Sequence, residues 1–88
     1  MRLKYKLESV DMGDEIVSVP VGKGANNAQG ILKMNKEGKE ILDLLEVETT
    51  EERIVNELMT KYSNSRETIM MFVHNILETL RRSGMLEE

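Results

Sequence analysis

The side chains that could perform acid–base or nucleophilic chemistry in this sequence are few. They are the single histidine, His74, five scattered serines, and the carboxylate pairs Glu51–Glu52 and Glu87–Glu88. An imidazole titrates near neutral pH and serves as a base when a nucleophile stands beside it. The chain has no cysteine, and no serine lies in the strand–turn–helix context that exposes a nucleophilic hydroxyl. Glu51 and Glu52 fall where a helix is expected to begin, and the helix dipole favours acids there without any catalytic role. One histidine does not make a metal site. Gly22-Lys23-Gly24 has the look of a phosphate loop, but the neighbouring residues match neither GxxxxGK[ST] nor GxGxxG. The expectation is a protein that is not an enzyme, holds no metal and takes no cofactor.

Composition narrows the class further. With 88 residues the chain has room for one core. Only Tyr5, Tyr62 and Phe72 are aromatic, so that core must be aliphatic and methionine-rich. The absence of cysteine removes disulfides and thiolate metal sites. No apolar run approaches the ~20 residues that span a bilayer, and MRLKYKLE lacks a signal-peptide core. The expectation is a soluble cytoplasmic protein with no membrane partner. A net charge of −4 argues against nucleic acid as a partner, because phosphate neutralisation supplies most of that affinity.

The elements that must position any site follow from hydrophobic periodicity. In LKYKLESV, Leu3, Tyr5 and Leu7 alternate with charged residues, so a strand is expected over about 3–10. Asp11, Gly13 and Asp14 form a turn, and Ile16 to Val19 a second strand, over about 14–20, closed by Pro20. GKGANNAQG, residues 22–30, reads as a mobile loop. A third strand is expected over 30–34, comprising Gly30, Ile31, Leu32, Lys33 and Met34. Asn35 is an N-cap for a helix over about 36–46, whose buried stripe is Gly38, Ile41, Leu42 and Leu45. Thr49 with Glu52 fits a capping box for a second helix, over about 50–62. The third, over about 65–83, buries Ile69, Phe72, Val73, Ile76 and Leu80, with Gly84 as its left-handed terminator and Leu86 closing the hydrophobic contact. Strands followed by helices give an α+β fold, a three-stranded antiparallel sheet covered on one face by three helices.

Two features of that arrangement point beyond the core. On the third helix, Met70 and Leu77 widen the apolar arc on one flank, rimmed by His74 and Arg81; they either complete the core or wall a groove. The third strand is short and passes straight into a helix. If it lies at the sheet edge, its free N–H and C=O groups can receive another chain, a known mode of peptide recognition. A winged helix that binds DNA shares this element count, but the outward face of the third helix, with Met71, Asn75, Glu78 and Arg82, is neither basic nor rich in base-reading residues. A purely structural subunit that buries the Met70 and Leu77 flank is a third possibility.

The ordered set KMNKEGKEILDLL, ETTEERIVNELMTKY and LRRSGMLEE resembles the PqqD-like family of precursor-peptide recognition domains, with Met34, Asn35 and Gly38 as its clearest mark. Leu42 stands where many relatives carry tryptophan. The resemblance covers nearly the whole chain, residues 1–88, and implies a winged helix-turn-helix-like domain. It further implies a non-catalytic adaptor, a peptide chaperone that captures the leader of a ribosomally made precursor as an added strand. The captured leader is presented to a modifying enzyme, often a radical S-adenosylmethionine maturase. Carried over by position, the peptide-binding residues are Gly30, Ile31, Leu32, Lys33 and Met34 on the edge, facing Met70, Val73, His74, Leu77 and Arg81 on the helix. A monomer or weak homodimer is expected.

Overall fold

The computed structural model describes residues 1–22, 24 and 31–88. Its elements in chain order are β1 (Arg2–Leu3), β2 (Lys6–Asp11), β3 (Ile16–Val21), β4 (Leu32–Met34), α1 (Lys36–Leu44), α2 (Glu51–Met59), α3 (Arg66–Arg82) and β5 (Leu86–Glu87). Strands β2, β3 and β4 form an antiparallel sheet in that spatial order. The fold is α+β, with the helices packed on one face of the sheet.

The β2–β3 hairpin forms because a turn and a register agree. The Asp11 side chain accepts a bond from the Gly13 N–H at 2.8 Å, and Gly13 takes a φ of 99°, which an L side chain resists. That turn sets Asp11 opposite Ile16 and Ser9 opposite Ser18. Ser18 is buried, and its hydroxyl is satisfied across the strands by the Ser9 hydroxyl at 2.7 Å. Among the described residues β4 covers only Ile16 to Ser18 of β3, so Pro20, which has no N–H to give, has a paired neighbour there only in β2.

The helices start where local chemistry places them. Asn35 Oδ1 accepts from the Gly38 N–H at 2.9 Å, and the Ser65 hydroxyl accepts from Thr68 N–H at 3.2 Å. The cap of α2 is Thr50, one residue later than the expected Thr49, with its hydroxyl taking the Arg53 N–H. Thr49 is used otherwise: its N–H bonds the Met1 carbonyl at 2.9 Å and its own carbonyl faces the N-terminal amine. At the end of α3 the Met85 N–H reaches the Leu80 carbonyl, the Gly84 N–H reaches that of Arg81, and Gly84 has a φ of 69°. This is a Schellman termination, and Leu80, Met85 and Leu86 are all buried in the core beside it. All three helices are a little shorter than expected.

The first expected strand, residues 3–10, is corrected. The chain bends at Lys4 and Tyr5, so that Arg2–Leu3 leave the main sheet and pair with Leu86–Glu87. Leu3 N–H bonds the Leu45 carbonyl and Lys4 N–H the Met85 carbonyl. Alternation along the sequence is blind to this break, because both halves keep the same period. The core is aliphatic and methionine-rich, joining Leu32 and Met34 from β4 to Ile41, Leu42, Leu45, Ile54, Val55, Leu58, Ile69, Val73, Leu77, Leu80, Met85 and Leu86.

Candidate functional site

β4 is an edge strand. It pairs with β3 through Ile16–Met34, Val17–Lys33 and Ser18–Leu32, and on its other side no strand pairs with it among the described residues. Leu32 and Met34 turn their side chains into the core while Lys33 faces outward, as period-two geometry requires. Ile31 precedes the strand and is 59% exposed. Gly30, expected to open the strand, lies outside the described residues, as does most of the loop read from residues 22–30.

What fixes this edge against the helices is Gly38. A Cβ built there would stand 3.0 Å from Met34 Cβ, 3.2 Å from its Sδ and 3.3 Å from Asn35 Oδ1. The first turn of α1 therefore lies against the last residue of β4 so closely that a side chain there would need Met34 or Asn35 to give by a few tenths of an ångström.

Just past β4, a cavity of about 270 Å³ opens. Asn35 and Glu37 line it from the β4–α1 junction, Leu58, Tyr62 and Asn64 from α2 and the turn after it, and Thr68, Ile69 and Phe72 from α3. Its floor is apolar and Glu37 is its one charged lining residue. Tyr62 donates its hydroxyl to Glu40 Oε1 at 3.0 Å. Loss of solvent around the ring, and then that bond, push the phenol pKa above its ordinary value. Glu40 Oε2 is buried without a hydrogen bond, its nearest cation being Lys61 at 3.9 Å.

The expected helix wall divides. Val73 and Leu77 are both 0% exposed and belong to the core, so neither side chain is open to a visitor. Leu77 is thereby settled as core and Met70, 46% exposed, as surface. His74 is exposed, with Nδ1 3.7 Å from Glu51 Oε2. Arg81 gives Nε and Nη2 to the Glu88 carboxylate and Nη1 to Glu78 at 2.7 Å. Those bonds lower the Glu88 pKa and raise that of the guanidinium. Met70, His74 and Arg81 thus share one flank of α3, whereas the cavity beside β4 uses the other, where Phe72 and Ile76 are half-buried. Phe72 and Ile76 are four residues apart and mark this flank in the sequence. Their apolar character assigned them to the core, which hid the signal.

A second cavity, about 380 Å³, lies at the opposite edge of the sheet between β2 and α1, lined by Arg2, Tyr5, Lys6, Lys39 and Asp43 among others. It touches none of the residues of β4 or α3. Among the described residues no helix is long and apolar enough to cross a membrane.

The family model described as coenzyme PQQ synthesis protein D (PqqD) matches residues 15–86. A solved structure, TbiB1 in complex with the TbiA(beta) leader peptide, is 25% identical with a TM-score of 0.72, over 99% of this chain and 95% of that one. No curated protein sequence matches the chain.

Proposed function

We propose, since the chain belongs to the PqqD family, that it captures the leader of a ribosomally made precursor peptide and presents it to a modifying enzyme, without itself catalysing the modification. The leader adds as a strand to the free edge of β4. The observation that carries this reading is that edge, with no strand paired on the side away from β3 among the described residues and an apolar cavity just past its end. A structure of similar fold that holds a leader peptide supports it. A maturase, such as a radical S-adenosylmethionine enzyme, is the class of partner that would receive the captured peptide.

Magnitudes decide which contacts must matter. Two or three backbone bonds to a strand as short as β4, at about 1 kcal/mol each, do not offset the roughly 2–5 kcal/mol lost in ordering a free peptide. Side chains inserted on the helix side, at about 2 kcal/mol for each aliphatic group buried, must supply the surplus. Backbone pairing to alternate residues of the 31–34 segment then sets register, and Lys33 favours an acidic residue opposite it. On the helix side the contacts fall to Phe72 and Ile76, with Val73 and Leu77 supporting them from the core. Met70, His74 and Arg81, one flank away, are left for the partner enzyme.

Titration with the precursor's leader, followed by amide NMR, tests the proposal. Shifts on residues 31–34 and along Phe72 and Ile76 are expected. Shifts confined to β1, β2 and the second cavity would overturn it.

A further inference from the structure

The strand-addition reading leaves open what the leader must contain, and the cavity at the end of β4 narrows it. We infer that this cavity takes a lysine or arginine side chain of the bound leader. The inference rests on the proposed function, since the peptide must first lie along β4. Its walls are Leu58, Tyr62, Ile69 and Phe72, which suit a stem of methylenes, while Glu37 provides the single charge. Long basic side chains are built this way, an apolar stem carrying a cationic head that seeks a polar rim. No ion pair engages Glu37 among the described residues, whereas its neighbour Glu40 is already bonded to Tyr62 and faces Lys61. The free carboxylate is thus the one at the cavity.

Position follows from topology. Every pairing in the main sheet is antiparallel, and an added antiparallel strand continues that pattern with the stronger ladder. Such a strand would enter beside Asn35 and leave beside Ile31. The basic residue therefore belongs at the amino-terminal end of the paired segment, before the residue that meets Lys33. Glu37 sits in the first turn of α1, where an acid is also favoured by the helix dipole, so the test must separate a ligand contact from a helix effect.

The probes are three synthetic peptides of alternating apolar and polar residues, identical except at the amino-terminal position, which is lysine, norleucine or glutamate. Norleucine keeps the stem and removes the charge. The lysine peptide should bind about three- to fivefold more tightly than the norleucine peptide, the range of a partly exposed charge pair, and the glutamate peptide most weakly. Glu37→Gln should abolish the preference for lysine over norleucine, read as the ratio of the two affinities, with an unchanged circular dichroism spectrum showing that α1 persists. Norleucine binding as well as lysine to the natural chain would overturn the inference and leave an apolar pocket only. If all three shift β4 amides equally, strand addition stands and the basic-residue assignment falls; if none shifts them, both fall together.

Discussion

The two flanks of α3 make an instructive pair. One carries Met70, His74 and Arg81, and its polar groups face the protein's own acids, Glu51, Glu78 and Glu88. The other carries Phe72 and Ile76, both half-buried, and Phe72 lines the cavity that opens just past β4. By hydrophobic pattern the two look alike, each a margin of the same apolar arc. They differ in what is packed against them. A surface whose charges are already paired internally has less to offer a peptide than one whose apolar groups are only half covered.

The sharpest way to break this comparison is Leu77→Glu. Leu77 is fully buried, so an unpaired carboxylate there should cost about 4 kcal/mol or more and unfold much of the population, seen as loss of the cooperative thermal transition. Met70→Glu, one flank position away and exposed, should stay within about 0.5 kcal/mol of the natural chain and leave leader binding unaltered. Equal destabilisation by both would mean the arc has been divided wrongly.

Next in size is Phe72→Ala. Because the ring is half-buried against the cavity, its loss should cost about 1–2 kcal/mol of stability and weaken leader binding roughly tenfold. Denaturant titration and calorimetric binding would read the two effects separately. His74→Ala should change neither by more than the spread of a surface substitution.

A smaller effect is expected at Gly38, where two influences oppose. Alanine improves helix propensity by about 1 kcal/mol, yet its methyl would press on Met34 Cβ and on Asn35 Oδ1, the cap of the same helix. The Met34 sulfur can move; its Cβ cannot without shifting β4. Gly38→Ala should therefore be destabilising by about 1 kcal/mol net, with amide shifts concentrated in residues 32–34. A stabilised protein would show that the edge strand has slack.

How much of this was open to sequence reading depends on how local the cause is. Asn35, Ser65 and Gly84 mark helix ends through bonds made within a few residues, so the bounds of α1 and α3 are close to local in origin. The bend at Tyr5 and the pairing of Arg2–Leu3 with Leu86–Glu87 join opposite ends of the sequence, and no local pattern announces them. At the site the edge strand was legible, since a short apolar run entering a helix has few places to go in a sheet. The helix wall was not, because a 3.6-residue period gives the direction of the core but not which margin faces β4. The shift of the α2 cap from Thr49 to Thr50 has the same origin, a tertiary bond to Met1.

The faintest test compares the flanks through their titrations. On the β4 side, Tyr62 has a folded pKa above its ordinary value, from loss of solvent first and from its bond to Glu40 second. The protonated phenol is the favoured form, so this contribution is present below the ordinary tyrosine range and is lost as pH rises through the folded value. Glu40→Leu removes the bond but leaves the desolvation, so phenolate absorbance should show the titration moving only part of the way back. On the other flank, Glu88 is held low by its bonds to Arg81, which favour the ionised form. That contribution is present above the ordinary carboxylate range and disappears as pH falls through the folded value. Arg81→Ala should return Glu88 to ordinary carboxylate behaviour in a carboxyl-detected titration and leave Tyr62 unmoved. Seating a basic side chain at Glu37 should do the reverse, lowering the Tyr62 titration while Glu88 stays where it was. A response at Glu88 to peptide would place the visitor on the His74 and Arg81 flank after all.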